Sequence, residues 1–254
     1  SGEFTMDNST GNIEFNHVDF SYIPGKQVLY DFNLKVKAGQ KVALVGSTGS
    51  GKTTVVNLLM RFYDIDNGSI TIDGVNIKDV KMHDLRDKIG FVPQKGVLFS
   101  GTIESNIKYS DENMSDERMI EAAEIAQATE FIEGKEEKYK DAIAQGGANV
   151  SGGQKQRLSI ARAIAKDPEI FVFDDSFSAL DFKTDAKLRK ELKTITEDKT
   201  VLIVAQRIST IMNADQIIVL DEGNIAGIGT HKELMKKCKI YKEIALSQLS
   251  KEEL

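Results

Sequence analysis

Residues 41–54 read KVALVGSTGSGKTT, an apolar run that stops at a glycine-rich turn carrying one lysine and three threonines. Val42, Ala43, Leu44 and Val45 suit a buried strand, and helical spacing follows over 53–62, with Val56, Leu59, Met60 and Phe62 on one side. The turn satisfies G-x-x-x-x-G-K-[ST] through Gly46, Gly51, Lys52 and Thr53, in the strand–loop–helix setting the pattern requires. Glycines let backbone N–H groups wrap phosphate oxygens, and the helix start adds its positive end. The pattern gives Lys52 the β- and γ-phosphates of a nucleotide and puts the Thr53 hydroxyl on Mg²⁺. The loop that would hold the nucleotide is Gly46, Ser47, Thr48, Gly49, Ser50, Gly51, Lys52, Thr53 and Thr54.

The rest of the chain extends this unit into an α/β fold. Residues 13–20 and 32–36 alternate apolar and polar side chains, as half-buried strands do, and 68–74 reads as a further short strand. Between 100 and 149 strand signals are sparse. Ser115 there caps a helical pattern over 115–128, and the charged run 133–141 reads as an exposed loop. Alternation then resumes: helix over 153–165, strand 170–173, helix 184–194, strand 200–205, a hairpin over 216–230 turning at Glu222-Gly223, and helices from Lys232. This order predicts a core with a mainly parallel sheet, an antiparallel piece near the N-terminus and a helical insertion.

Composition narrows the class. With 254 residues, 41% hydrophobic, 28% charged and 3 prolines, the chain is ordinary for a globular protein. Its single cysteine, Cys238, excludes an internal disulfide or a Cys-based zinc site and fits a reducing compartment. A net charge of -6 argues against a general grip on nucleic acid. There is neither a bilayer-length apolar stretch nor a signal peptide. SGEFTM at the start matches no element, so Ser1 to Thr5 reads as a cloning scar ahead of a single domain over 6–254.

A second phosphate-type signal lies at Ser151, Gly152, Gly153 and Gln154. A serine and two glycines there open an amphipathic helix bearing Leu158, Ile160, Ala161, Ile164 and Ala165. Free N–H groups, a hydroxyl and the helix dipole point one way. Just downstream, the apolar run Phe171-Val172-Phe173 ends in Asp174 and Asp175, two carboxylates at a buried strand tip.

From residue 13 to its C-terminus the chain resembles the nucleotide-binding domain of an ATP-binding cassette (ABC) transporter, which implies the ABC ATPase fold: a P-loop NTPase core over about 13–98 and 150–250 and a helical subdomain over about 99–149. It implies ATP and Mg²⁺ as ligands. Carried over, Tyr22 of FSY matches the aromatic that stacks on adenine, and Gln94 of FVPQ the glutamine that contacts Mg²⁺ and faces the membrane domain. Asp174 matches the Mg²⁺-linked Walker B aspartate. Ser151 to Gln154 match the signature presented to a partner's ATP, and Ser178, Ala179, Leu180 and Asp181 the D-loop that contacts the partner. KGVLFSGTIESNIKYS after Gln94 and AQGGANVSGGQ before the helix resemble exporter-type domains, closest to one subunit of bacterial heterodimeric multidrug exporters. Where exporters often have an acid before the signature, this chain has Gln145-Gly146-Gly147.

Two positions depart from the catalytic pattern of that family. Asp175 stands where a glutamate polarises the attacking water, and it is one methylene shorter. Gln206 of IVAQRIST stands where many members have a histidine near the γ-phosphate, and glutamine carries no positive charge. With Lys52 these make up the expected catalytic set. His17, His83 and His231 fall elsewhere in the motif order, His231 reading as a helix start. The resemblance implies an ATPase that drives export of drugs or other amphiphiles, whose own site hydrolyses weakly. It further implies a head-to-tail partner domain from a different subunit, a transmembrane half absent from this chain, no nucleic acid, and a place at the cytoplasmic face of the membrane. An importer ATPase on a separate polypeptide, or a soluble ABC protein, is the alternative.

Overall fold

The computed structural model describes Gly2 and residues 10–250. Apart from Gly2, the suggested scar and Met6 lie outside them. Two units divide these residues: one runs to Lys88 and resumes at Asp198, the other is Ile89–Glu197.

The first unit opens with β1 (Ile13–Ile23), β2 (Lys26–Val36) and β3 (Lys41–Gly46), then α1 (Lys52–Leu59), β4 (Asn67–Ile72), β5 (Val75–Asn76) and α2 (Met82–Asp87). The second unit holds β6 (Ile89–Val92), β7 (Gly101–Thr102), α3 (Ile103–Ile107), α4 (Asp116–Ile125), α5 (Thr129–Glu133), β8 (Ala142–Ile143), α6 (Gly152–Lys166), β9 (Ile170–Asp174) and α7 (Phe182–Ile195). The chain returns to the first unit with β10 (Thr200–Val204), β11 (Gln216–Asp221), β12 (Asn224–Gly229), α8 (His231–Lys237) and α9 (Lys239–Gln248).

Two sheets organise the first unit. β2, β1, β4 and β5 form an antiparallel sheet in that order. Ile13, Phe15, Val18 and Phe20 of β1 face its core, as the alternation predicts. β1 and β2 run longer than the sequence pattern implies, because irregular pairing, with His17 and Asp31 at positive φ, breaks the strict period of two. In the other sheet β3 pairs in parallel with both β10 and β11, and β12 runs antiparallel to β11. Val42 to Val45 are fully enclosed, which is why β3 reads as a continuous apolar run. Helix α1 stops at Leu59, sooner than the pattern predicts, and Arg61 takes a left-handed turn.

In the second unit β6 and β9 pair in parallel, and every residue of β9 is buried. Four residues bounded by lysine and proline gave no separate strand signal for β6. Helices α3 and α4 pack on α6, with Ile103, Ile107, Met119, Ala122 and Ala123 buried, so the middle of the chain is mostly helical. It also contains the two-residue pair β7–β8. Caps set the helix starts: Ser115 accepts from the Arg118 N–H, and Asp181 from the Thr184 N–H. Among the described residues no helix is long and apolar enough to cross a membrane.

Candidate functional site

In the first unit the glycine-rich loop leaves β3 at Gly46 and enters α1 through Gly51, whose φ of 109° suits glycine alone. A β-carbon on Gly46 would collide with the Leu220 carbonyl oxygen and lie 2.6 Å from Ser50 Oγ. Ser47, Thr48 and Gly49 are exposed, and Ser50 is buried with its Oγ lacking a hydrogen-bond partner. Lys52 is 8% exposed and its Nζ donates to the Gly46 carbonyl at 2.7 Å, so the cation sits inside the curl of the loop. Thr53 on the first turn of α1 is exposed, and Thr54 is buried.

Tyr22 lies near the end of β1. Its hydroxyl is 2.9 Å from Thr54 Oγ1 and accepts from Asn57 Nδ2 at 3.1 Å. Edge-on contacts with Phe20 (4.7 Å) and Tyr63 (4.8 Å) fix the ring. Gln206 follows β10 and, with Gly46, Ser47, Thr48 and Lys52, lines a cavity of about 240 Å³ whose other wall is Ile244, Ser247 and Gln248 of α9. The unit therefore brings Tyr22, the loop and Gln206 onto one set of elements.

The second unit gathers the remaining residues. Asp174 closes β9 and is buried; Asp175 follows with φ 48°, a left-handed conformation costly for a residue with a β-carbon. The Gln94 amide donates to Asp175 Oδ2 at 3.3 Å, and Ser178 Oγ donates to the Asp175 carbonyl at 3.1 Å. Below this pair lies Gln156, 1% exposed, donating to the carbonyls of Pro93 (3.0 Å) and Ser176 (2.8 Å), while Ser176 Oγ donates to Val92. Gln156 thus welds the segment after β6 to the turn after β9. The sequence reading missed it, although a glutamine one turn before Ile160 on an apolar helix face is an available signal.

Ser151 is the N-cap of α6 in a reciprocal box: its Oγ accepts from the Gln154 N–H (3.1 Å), and Gln154 Oε1 accepts from the Ser151 N–H (3.2 Å). Ser151 and Gly152 remain exposed. Arg157, one turn on, donates to Gly153 (3.2 Å) and Gln127 (3.0 Å) and lies 4.9 Å over the Phe131 ring, joining this helix start to α5. Burial lowers its pKa, opposed by Asp181 and Glu130. Ser178 and Ala179 are exposed and Leu180 is buried. Asp181 caps α7, and the Thr184 backbone and hydroxyl hold its carboxyl below the usual range. His231 starts α8, its Nδ1 2.6 Å from the Tyr241 hydroxyl.

Thr53 in the first unit, and Gln94 and Asp174 in the second, each carry a side-chain oxygen of the kind that hard cations such as Mg²⁺ take. No cluster of three or more His, Cys, Asp or Glu able to hold a metal occurs among the described residues.

The family model described as ABC transporter matches residues 29–178. An uncharacterized ABC transporter ATP-binding protein of Mycobacterium tuberculosis (strain H37Rv) is 43% identical over 97% of this chain and 43% of its own length. ABC transporter B family member 4 of Dictyostelium discoideum is 43% identical over 98% of this chain and 33% of its own. A structure of a bacterial Atm1-family ABC exporter with ATP bound superposes with a TM-score of 0.91 at 35% identity, covering 98% of this chain and 44% of that one. The chain spans less than half the length of these relatives.

Proposed function

The chain belongs to the ABC transporter family, and on that premise we propose that it is the ATP-binding motor domain of an exporter, with a nucleotide site that binds ATP and hydrolyses it slowly. Gly46 to Thr54 cradle the phosphates, Lys52 neutralises their charge, and Tyr22 lies against adenine. Thr53, Gln94 and Asp174 would hold Mg²⁺, which would supply further charge neutralisation when bound. The reaction is phosphoryl transfer to water, for which the protein needs positioning and electrostatics rather than covalent chemistry. Ser151 to Gln154 face ATP on a partner domain of a different subunit, and Ser178 to Asp181 contact that partner. Residues 99–149 act as the helical subdomain, and the surface around Gln94 passes closure to membrane helices at the cytoplasmic face. The cargo is an amphiphile such as a drug, selected by those helices. The likeness to the Atm1-family exporter supports the exporter reading over an importer ATPase.

The observation that carries the slow-hydrolysis reading is the Gln94–Asp175 hydrogen bond. The short carboxylate is engaged by a neutral amide, while a base must come within about 2.6–3.2 Å of its water. An intact signature beside Asp175 and Gln206 makes the chain a giver of signature contacts more than a hydrolyser. Single-turnover hydrolysis with the partner, each P-loop lysine being replaced in turn, tests this. Turnover is expected to survive Lys52→Ala and to fail when the partner's lysine is lost; the opposite result overturns the assignment.

A further inference from the structure

We propose that Gln248, the last residue of α9, is a positioning residue for the loop that carries Gln206. It acts on nucleotide through that loop, and the inference rests on the reading above, in which Gln206 faces the terminal phosphate. Its carboxamide makes two hydrogen bonds of opposite sense: Nε2 donates to the Gln206 carbonyl at 2.7 Å, and Oε1 accepts from the Ile208 N–H at 2.8 Å.

The loop needs such a brace. Beyond β10 the Ala205 N–H still donates to Leu44 at 3.2 Å, and from Ile208 a short turn begins, closed by Ile211 N–H to Ile208 at 3.0 Å. Between them Gln206 and Arg207 form an exposed arch whose feet, Ala205 and Ile208, are buried. Gln248 joins the carbonyl at one side of Arg207 to the N–H at the other, a role that requires one side chain to offer both a donor and an acceptor.

The brace is itself fixed. Tyr241, Ala245 and Leu249 around it are buried in the same apolar cluster as Ala205, Ile208 and Val45, so α9 and the arch share one packed base. The cavity lined by Gly46, Lys52, Gln206 and Gln248 opens the arch onto the phosphate loop. Without the brace, the Gln206 side chain keeps its chemistry and loses its aim.

The test is equilibrium binding of ATP and of ADP to the 254-residue chain, comparing wild type with Gln248→Ala, Gln206→Ala, the double variant and Lys52→Ala. Gln248→Ala is expected to weaken ATP about fivefold, the worth of roughly one hydrogen bond, while leaving ADP affinity in place. In the double variant the ATP loss should be no larger than in Gln206→Ala alone, since the two act as one unit. Gln248→Met preserves the length of the side chain, removes both hydrogen-bonding groups and should behave like Gln248→Ala. An unchanged ATP-to-ADP preference in either Gln248 variant overturns the proposal, as does full additivity with Gln206→Ala, which would mark direct contact. Loss of both nucleotides in Lys52→Ala locates the site at the P-loop. If both affinities survive there, the underlying reading fails first and takes this inference with it.

Discussion

The Gln94 amide and the Asp175 carboxylate meet at 3.3 Å, tying the segment after β6 to the turn after β9. A glutamate at 175 would carry its carboxylate one methylene past that meeting point, toward where a water would be activated. Asp175→Glu with Gln206→His is therefore expected to raise the steady-state ATPase of the chain. Because an error of about 1 Å can cost on the order of 10²-fold, a gain approaching that size is in range. Phosphate release measures it, and no gain would refute the geometric argument.

Gly223 supports the phosphate loop from the side. Its N–H donates to the Ser50 carbonyl at 2.9 Å and its carbonyl accepts from Tyr30 at 3.0 Å, while a β-carbon there would run into the Val28 carbonyl. Its φ of 81° adds a left-handed penalty for any other residue. Gly223→Ala should cost about 2–4 kcal/mol, combining conformational strain and overpacking. Urea unfolding reads the stability, and nucleotide titration should show ATP affinity falling with it. Wild-type values on both would exclude the buttress.

That buttress shows where the sequence was readable and where it was not. Glu222-Gly223 was legible as a hairpin turn, because turn chemistry is local. Its bond to Ser50 joins positions about 170 residues apart and leaves no local trace. Likewise β3, β9 and the α6 start were legible from apolar runs and a cap, whereas the four residues of β6 were too few to show a period. Gln156 and Gln248 hold backbone groups of distant loops. Such braces are chosen by tertiary geometry, and a lone glutamine in a helix looks the same whether it braces a loop or faces water.

Arg157 makes a further prediction, on the coupling of the signature helix to α5. Its fork serves the Gly153 and Gln127 carbonyls while its plane covers Phe131. Arg157→Ala should destabilise this contact by about 1–3 kcal/mol. Arg157→Lys should restore little, because a single ammonium cannot replace a planar fork that also stacks. Faster amide exchange over Thr129–Glu133 in both variants is the expected signature; protection equal to wild type in Arg157→Lys would refute it.

Asp73 gives a prediction with a defined sign in pH. Burial works to raise its pKa, but hydrogen bonds from the Asn12, Gly11 and Thr10 backbone and the Thr10 hydroxyl outweigh it, and the pKa is lowered. A carboxyl whose pKa falls on folding stabilises the native state above its unfolded value, and that contribution disappears as pH falls through the lowered value. The site is partly exposed, so the effect is screened and modest. Asp73→Asn should lower Tm by about 2–4 °C at neutral pH. The gap to wild type should close as pH drops below about 4, where the wild-type carboxyl also becomes neutral. Thermal melts at both ends of that range decide it, since a gap that is constant with pH would mean that the Asp73 charge contributes nothing to holding Thr10 to Asn12.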